Sequence, residues 1–418
     1  MTTATISNVQ PRADQPVPDG MRLLRGTECW WVIHGSKHAR LPLEAVIQTE
    51  AGDRVLDDVL NALRERDFFI KPAVTAYAVT VLTATACNLG CAYCFQNLEL
   101  PAAGSFAPPR IRNEVLTPER VRNVADFIAR QMAAASLDQT SLLLFGGEPL
   151  LNPEGSLELL RALKPMNLVD AEMVTNGVLL HRRLAGELSR AGLHRVQITF
   201  DGAESVHDTI RVTRNGRGTY AKILRNVAQA AEETDLSWHF RVNISHHNLD
   251  GLEKLIDDLG DVVPGERASL HLALIDDSGL GYENEVGYAP EYAQRFKQLH
   301  SQAIAYGMHV PLSKPMTDCP YCSTVGGAEG AVVNADGQLY SCWENAGREG
   351  WDIGDVVNGY RPTPDIQDKW VACDFEIKSH GTQEATRLFF EEIDAAVLDD
   401  TYAHARRRST APGSSPTG

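Results

Sequence analysis

The chain has 418 residues, of which 43% are apolar and 22% are charged, a composition typical of soluble globular proteins. At about 100–200 residues per domain, two or three domains fit this length. No run of about 18 apolar residues is present and the N-terminus has no apolar stretch, which excludes a membrane-spanning helix and a secretory signal. The formal net charge of −16 is unfavourable for binding phosphate backbones. We therefore expect a cytoplasmic protein without a nucleic-acid or membrane partner.

The first 72 residues divide into two parts. Residues 1–20 are polar and contain three prolines, which predicts a flexible N-terminus. Residues 21–72 predict a small α+β segment. Cys29–Ile33 is a β-prone run, a second extended piece is expected near His38–Leu43, and apolar residues recur at helical spacing between Val55 and Leu63.

From residue 73 to 310, β-prone runs alternate with amphipathic helices. The predicted strands are 74–84, 140–145, 171–175, 195–200, 237–243 and 268–275. The predicted helices begin at Thr117-Pro118 and then cover 155–164, 181–192, 220–234, 249–259 and 290–306. Six such units predict an α/β fold with a parallel sheet, most simply a partial (β/α)6 TIM barrel. A doubly wound open sheet is the alternative.

The C-terminal part is predicted as two further regions, 311–375 and 376–418. In the first, Asn334-Ala335-Asp336-Gly337 indicates a hairpin turn between Ala331–Val333 and Gln338–Ser341. The second is predicted to be a C-terminal helix followed by a disordered tail rich in Ser, Pro and Gly. The basic run Arg406–Arg408 is assigned to that solvated tail.

Polar or glycine-rich residues follow all six predicted core strands. In both candidate architectures the chemistry lies at the carboxyl ends of the strands. These segments are Cys87–Cys94, Gly146-Gly147-Glu148-Pro149, Thr175-Asn176-Gly177, Thr199-Phe200-Asp201-Gly202, Asn243 with the residues just beyond it, and Asp276-Asp277. Turns favour Gly, Asn and Asp in any protein, so some of these residues could be turn formers.

The cysteines are clustered rather than scattered. Cys87, Cys91 and Cys94 lie within eight residues, and Cys319, Cys322 and Cys342 form a second group with Cys373 further on. In a reducing compartment such clusters indicate metal binding more often than disulfides. Zinc is one possibility. Three thiolates from one loop also suit a [4Fe–4S] cluster with one open iron, where a cofactor could coordinate.

The spacing Cys87-x₃-Cys91-x₂-Cys94, with Tyr93 before the last cysteine, resembles the signature of the radical S-adenosylmethionine (radical SAM) enzymes. The resemblance covers roughly residues 74–310 and implies a [4Fe–4S] cluster with SAM bound to it. It further implies reductive cleavage of SAM and abstraction of a substrate hydrogen. The cofactor supplies that chemistry, while the protein orients the reactants and excludes water.

Companion motifs follow in the order of that family. The segment Gly146-Gly147-Glu148-Pro149 resembles its GGEP motif, which receives the amino group of SAM, and Thr199 with Arg211 resembles the pair that contacts SAM in peptide-modifying members. The resemblance implies that Arg211 pairs with the SAM carboxylate. The remaining candidates for contact with SAM are Tyr93, Asn176, Asp201 and Asn243.

The C-terminal cysteines resemble the first half of the SPASM extension of radical SAM enzymes, with Cys322, Gly337 and Cys342 at its spacing. A full SPASM domain has a dense second set of cysteines, whereas here only Cys373 follows. The resemblance is therefore to the shorter Twitch variant and implies one auxiliary [4Fe–4S] cluster on Cys319, Cys322, Cys342 and Cys373. A zinc ribbon on the same cysteines is the alternative.

The same resemblance suggests the substrate. Enzymes with this extension mostly modify peptides, and residues 21–72 have the position of a leader-peptide docking module. We expect an oxidoreductase that matures a ribosomally made peptide by cross-linking, thioether formation or epimerisation, with flavodoxin or ferredoxin as electron donor. Sulfatase-type protein modification, a small-molecule dehydrogenase and a non-catalytic iron–sulfur scaffold or redox sensor are the alternatives. No catalytic acid or base is assigned.

Overall fold

The computed structural model describes residues 18, 20–49, 52–275, 286–313, 321, 325–370 and 383–410, with the backbone alone for 383–385 and 410. The core strands are β6 to β11, after five short strands described below. They cover Ala76–Ala84 (β6), Gln139–Gly146 (β7), Leu168–Thr175 (β8), Arg195–Phe200 (β9), Ser237–Ile244 (β10) and Ala268–Leu274 (β11). Each lies within a few residues of its predicted bounds, because buried apolar runs mark strands clearly.

Helices connect these strands as the apolar periodicity predicts. They cover Pro118–Ala135 (α2), Pro153–Leu163 (α3), Arg182–Ala191 (α4), Tyr220–Glu233 (α6), Leu252–Val262 (α7) and Pro290–Ala305 (α8). The Thr117 side chain accepts a hydrogen bond from the Arg120 amide and caps α2, as its sequence predicts. A short helix α5, Glu204–Ile210, follows β9 and was not predicted.

The six strands form a partial barrel. Their order in the sheet is β11-β10-β9-β8-β7-β6 and every pairing between them is parallel. A doubly wound sheet reverses its strand order at a switch point, and this one does not. The alternative is therefore wrong and the partial (β/α)6 barrel is confirmed.

The two faces of the barrel wall differ in polarity. Tyr77, Val79 and Val81 of β6 are completely buried in one core with apolar residues of the surrounding helices. The alternate positions of β10, including His239 and Arg241, are half-buried. Because side chains alternate along a strand, the helix-facing side is apolar and the lumen is polar.

The N-terminal segment forms a three-stranded antiparallel sheet of Met21–Arg25 (β1), Trp30–His34 (β2) and Lys37–Leu41 (β3), with β2 in the centre. The short pair Val46–Ile47 (β4) and Arg54–Val55 (β5) precedes helix α1, Asp57–Arg64. This confirms the α+β character predicted for the segment.

The C-terminal part continues the barrel sheet beyond β6. Gly330–Val333 (β12) pairs in parallel with β6, and Gln338–Tyr340 (β13), Gly354–Asp355 (β14) and Gly359–Tyr360 (β15) follow in antiparallel order. The hairpin predicted between β12 and β13 is confirmed, with Gly337 in the left-handed region at φ +90. Helix α9, Thr363–Ile366, follows β15.

The last described element is helix α10, Gln383–Thr410. It contains the basic run Arg406–Arg408, so the assignment of this run to the disordered tail was wrong. The Arg406 guanidinium lies 5.9 Å from the centre of the Tyr402 ring, one turn earlier on the helix. Charged residues on an exposed helical face do not mark disorder by themselves.

Helix α10 binds the N-terminal sheet through hydrogen bonds and an ion pair. The Asp399 carboxylate accepts hydrogen bonds from the Trp31 indole at 2.8 Å and the Thr27 amide at 2.7 Å. The Asp394 carboxylate pairs with Arg22 at 2.5 Å. The N-terminal segment is therefore packed against helix α10. The predicted domain boundaries remain predictions.

No helix among the described residues is both long enough and apolar enough to cross a bilayer. This applies to α10 as well, which is the longest helix of the described chain.

A buried histidine of α8 is expected to make stability pH-dependent. Burial lowers the pKa of His300 to about 4. Below about pH 6.5 the unfolded chain takes up a proton at this site and the folded chain does not. The free energy of unfolding therefore decreases as the pH is lowered from about 6.5 to about 4. His300→Leu removes this effect. On going from pH 6.5 to pH 5, the free energy of unfolding of the variant should therefore rise by about 1.5 kcal/mol relative to that of wild type.

Urea unfolding at both pH values measures this difference. His246→Leu, which changes an exposed loop histidine, is the control and should show no such gain. An equal response of both variants to pH would contradict the assignment to His300.

Candidate functional site

Four neighbouring strands bring the predicted site residues to one edge of the barrel. Cys87 follows β6, Gly146 ends β7, Asn176 comes directly after β8, and Asp201 comes directly after β9. Because these strands are parallel neighbours, their carboxyl ends lie side by side. The edge therefore collects segments that are more than 100 residues apart in the chain, such as Tyr93 and Asp201, which are separated by 108 positions.

The three clustered thiols lie in the loop after β6. Cys91 is buried, Cys87 and Cys94 are half-buried, and none of the three is in a disulfide. Burial raises the pKa of the Cys91 thiol to about 12 and also raises that of Cys87. Without a metal these thiols are protonated, and metal binding would release the protons.

The arrangement of the thiols bears on the kind of metal they could hold. In the described part of the chain, no three His, Cys, Asp or Glu side chains converge on one point that could hold a single ion. A cubane cluster does not require such convergence, because each cysteine binds a different iron. Three thiolates from one loop fit a [4Fe–4S] cluster with one open iron.

The two glycines after β7 are required by a close backbone approach. A Cβ at Gly146, whose φ is +147, would lie 2.2 Å from the Ala84 carbonyl oxygen, and one at Gly147 would lie 2.3 Å from that of Thr85. The Gly147 amide donates to the Ala84 carbonyl at 2.9 Å. The glycine pair therefore fixes the end of β6, just before the cysteine loop, a structural role in addition to the SAM contact that the resemblance implies.

The Glu148 carboxylate is completely buried and has three internal partners. Its Oε1 accepts from the Leu150 amide at 2.9 Å and the Thr175 hydroxyl at 2.7 Å, and its Oε2 accepts from the Asn176 amide at 2.8 Å. Burial raises the pKa of Glu148, while these donors oppose the rise. The side chain therefore joins the ends of β7 and β8.

Loss of this carboxylate should destabilise the protein. Glu148→Ala leaves three donors without an acceptor, and each orphaned buried donor costs about 1–3 kcal/mol. We expect the free energy of unfolding to fall by about 3 kcal/mol or more, as measured by urea unfolding of the metal-free protein. Glu154→Ala, on the exposed first turn of α3, is the control. A decrease in the free energy of unfolding of less than about 1 kcal/mol would contradict the stabilising role of these three hydrogen bonds.

A hydrogen-bonded network joins the cysteine loop to β9 and β10. The Tyr93 hydroxyl donates to Asp201 Oδ2 at 2.7 Å and accepts from Arg211 Nη1 at 2.7 Å. The Asn243 amide donates to the same Tyr93 oxygen at 3.1 Å. The Arg211 guanidinium also lies 3.4 Å from Asp201. Four of the predicted site residues are therefore in direct contact.

This network contains an ion pair removed from solvent. Asp201 is completely buried and the Arg211 side chain is 11% exposed. Burial raises the pKa of Asp201, although the Arg211 charge and the Tyr93 hydroxyl lower it. His207, which burial keeps neutral by lowering its pKa, accepts a hydrogen bond from the Asp201 amide at 3.4 Å.

Two polar atoms of this ion pair have no hydrogen-bond partner among the described residues. They are Arg211 Nε and Asp201 Oδ1, and both are buried. Buried polar atoms are rarely left unsatisfied in native proteins. The network is therefore suited to a small polar ligand that carries both acidic and basic groups, as the methionine part of SAM does.

The remaining predicted residues lie at the same edge with fewer contacts. The Asn176 amide lies 3.8 Å from Cys87 Sγ and donates to the Asn88 side chain at 2.8 Å. Thr199 is 9% exposed and pairs in register with Arg241 of β10. Pro149 begins the turn after Glu148 and is buried.

One residue of the site was missed by sequence reasoning. Arg110 Nη1 lies 3.3 Å from Cys94 Sγ, although the two residues are 16 positions apart. Burial alone would lower the pKa of Arg110, but the cysteine sulfurs, Cys94 first, raise it. No local pattern marks this arginine, because its neighbours in the sequence form an irregular loop.

The second cysteine group is described only at Cys342, which is half-buried just after β13 and forms no disulfide. Cys319, Cys322 and Cys373 lie outside the described residues, as do Asp276 and Asp277.

The comparisons with known proteins cover the residues of this site. The model of the Radical SAM superfamily matches residues 81–259, which include the three cysteines, the GGEP segment and the ion pair. An AdoMet-dependent heme synthase of Methanosarcina barkeri (strain Fusaro / DSM 804) is 22% identical over 342 residues, 73% of this chain and 89% of the relative. A GTP 3',8-cyclase of Xanthomonas axonopodis pv. citri (strain 306) is 27% identical over 280 residues, 62% of this chain and 77% of the relative.

Solved structures show the same fold. Polyhistidine-tagged anSMEcpe with bound AdoMet superposes with a TM-score of 0.57 at 15% identity, covering 79% of this chain and 95% of that one. Native anSMEcpe with bound AdoMet and Kp18Cys peptide gives a TM-score of 0.55 at 15% identity, covering 79% of this chain and 99% of that one. These comparisons show that residues 81–259 are similar to the Radical SAM superfamily and that the chain shares the fold of these solved structures.

Proposed function

We propose that this protein cleaves SAM reductively and abstracts a hydrogen from a ribosomally made peptide, installing a post-translational modification. The observation that carries the SAM part is the contact between the cysteine loop and a buried ion pair. Tyr93, within the cysteine motif, bonds directly to Asp201 and Arg211. One ligand could therefore reach both the open iron and the unpartnered atoms of the pair.

Cys87, Cys91 and Cys94 would hold the cluster. When bound and reduced, the cluster would supply the electron for cleavage of SAM to methionine and a 5′-deoxyadenosyl radical, and this radical would abstract the substrate hydrogen. Arg211 would bind the carboxylate of SAM through a charge-assisted hydrogen bond. Asp201 and Tyr93 would hold the guanidinium in place, and Asn176, Thr199 and Asn243 would line the same edge.

The amino group of SAM needs acceptors beside the GGEP segment. The Glu148 carboxylate already accepts three hydrogen bonds inside the protein. We therefore assign the contact chiefly to backbone carbonyls of Gly146 and Gly147, whose lack of side chains leaves the backbone accessible. Glu148 would contribute by fixing that backbone and by its nearby negative charge.

An auxiliary [4Fe–4S] cluster on Cys319, Cys322, Cys342 and Cys373 completes the proposal. The β12–β13 hairpin supports it, since its second strand ends two residues before Cys342. A zinc ribbon on the same four cysteines is the competing assignment, and metal analysis distinguishes the two.

The peptide part of the proposal rests on the N-terminal sheet. Strand β3 pairs with β2 on one side, and no strand among the described residues pairs with its other side, which leaves an edge that an extended peptide could join. Lys37 and Arg40 make this edge basic in a chain of net charge −16. An acidic leader segment would fit it. The solved anSMEcpe complex with a peptide lends support at the level of the fold.

A small-molecule substrate is the second candidate. The heme synthase and GTP cyclase relatives favour it, since both are named for small-molecule products or substrates. Sulfatase-type protein modification and a non-catalytic scaffold or redox sensor are further alternatives. A sensor has no need of the Arg211–Asp201 pair.

SAM cleavage is the first test. The protein is reconstituted anaerobically with iron and sulfide, reduced with dithionite and supplied with SAM, and 5′-deoxyadenosine is measured by mass spectrometry. Formation of 5′-deoxyadenosine supports the enzyme. Its absence from protein with a full cluster would favour the scaffold or sensor. Flavodoxin or ferredoxin, proposed as the donor in a reducing cytoplasm, should replace dithionite.

The substrate class is tested with any short peptide that neighbouring reading frames encode. A peptide substrate should change in mass, and its binding should slow amide hydrogen exchange in β3 more than in helix α7 of the barrel. Modification without protection of β3 would remove the N-terminal docking role. No modification of any peptide, together with turnover of a small molecule, would favour the second candidate.

A further inference from the structure

We propose that Arg110 is a positioning residue for the [4Fe–4S] cluster. Its guanidinium, held beside the Cys94 sulfur, would make the cluster easier to reduce. This inference rests on the proposed function, because it concerns the cluster assigned to Cys87, Cys91 and Cys94. It adds a residue outside the three-cysteine motif and the SAM-contacting residues.

The guanidinium is fixed by two buried side chains that follow the cysteine motif. Arg110 Nη2 donates to Gln96 Oε1 at 2.7 Å, and Nη1 donates to Asn97 Oδ1 at 3.3 Å. Gln96 is 1% exposed and Asn97 is completely buried. The Asn97 amide in turn donates to the carbonyls of Cys91 at 3.0 Å and Ala92 at 3.1 Å. The arginine is therefore tied to the same loop that carries the thiols.

The charge of Arg110 lacks an anionic side-chain partner from Asp or Glu. Gln96 and Asn97 offer neutral oxygens, and no carboxylate of the described residues forms an ion pair with Arg110. The nearby Glu114 pairs instead with Arg112 and Arg120. A half-buried cation is stabilised mainly by a close negative charge. The Cys94 sulfur, 3.3 Å away, is the group that would carry that charge once it binds iron.

The expected effect follows from electrostatics. One-electron reduction, with dithionite or a flavodoxin as donor, adds one negative charge to the cluster and its thiolates. A cation that hydrogen-bonds to a ligand sulfur stabilises the reduced form more than the oxidised form, since potentials depend on net charge and on hydrogen bonds to sulfur. Loss of Arg110 should therefore make the cluster harder to reduce.

The test is a redox titration of the reconstituted full-length protein without SAM, followed by electron paramagnetic resonance. The signal that is missing from a Cys87/Cys91/Cys94→Ala variant identifies the relevant cluster. In Arg110→Met, the ratio of reduced to oxidised cluster at a fixed potential should fall about tenfold, a shift of about 59 mV for one electron. Arg110→Lys keeps the charge and should recover most of the ratio.

Arg112→Met is the matched control, because Arg112 lies two residues away with a side chain that is 88% exposed. It should leave the potential unchanged. An unchanged potential in Arg110→Met with a full iron content would overturn the inference alone. Loss of iron from both Arg110→Met and Arg110→Lys would also overturn it, because the arginine would then serve the folding of the loop. A wild-type protein that takes up no iron would overturn the proposed function itself.

Discussion

Alanine at Cys87, Cys91 and Cys94 together is expected to remove half of the iron and all SAM cleavage. Wild-type protein reconstituted without oxygen should contain about eight irons per chain and the triple variant about four, counting four per cubane. The residual iron would belong to the auxiliary cluster. Iron and acid-labile sulfide analysis measures the change, and 5′-deoxyadenosine formation should fall to background because no cluster remains beside Arg211.

Cys29→Ala is the matched control for this experiment. Cys29 is buried too, but it lies against Asp399 at the interface with α10, and no cluster is assigned to it. It should keep both the iron and the activity. About four irons in wild type, falling to none in the triple variant, would remove the auxiliary cluster and favour zinc at the C-terminal cysteines. Negligible iron in well-folded wild type would refute the whole proposal.

Removal of Arg211 is expected to give the second largest effect. Arg211→Met deletes the cation proposed to bind the SAM carboxylate, and a hydrogen bond to a charged group contributes about 1.5–3 kcal/mol. The affinity for SAM should therefore fall about 10- to 150-fold, measured by calorimetry on the oxidised, cluster-loaded protein. The rate of 5′-deoxyadenosine formation at subsaturating SAM should fall in parallel.

The single variant also leaves Asp201 buried without its cation, which destabilises proteins strongly. The double variant Arg211→Met/Asp201→Asn removes both charges and should regain stability without regaining SAM affinity. Arg214→Met, an exposed change in the same loop, should bind SAM like wild type. Recovery of SAM affinity in the double variant would show that Arg211 serves the fold and not the carboxylate.

Together the two experiments distinguish iron binding from SAM binding. The cysteine variant tests whether the loop holds iron, and the arginine variant tests whether SAM binds to it. A protein with a full cluster and no Arg211 dependence would retain the fold of the superfamily but bind its ligand differently.

The barrel, and the convergence of the candidate site residues at one of its edges, could be predicted from the amino-acid sequence. Each core strand is a run of buried apolar residues and each helix has one apolar face, so local periodicity was sufficient to predict them. The cysteine motif begins three residues after β6, the GGEP segment begins at the last residue of β7, and Asp201 comes directly after β9. Their convergence required only the rule that parallel strands end at one edge.

The contacts of individual side chains could not be predicted from local sequence patterns. Arg110 reaches Cys94 from a loop without periodicity, and Glu148 is occupied by donors from the next strand. The helical state of Arg406–Arg408 was likewise missed, because its charged composition resembles a disordered tail. Such facts depend on contacts between residues distant in sequence. Local patterns encode the elements, whereas the partners of a buried polar group are set by how those elements pack.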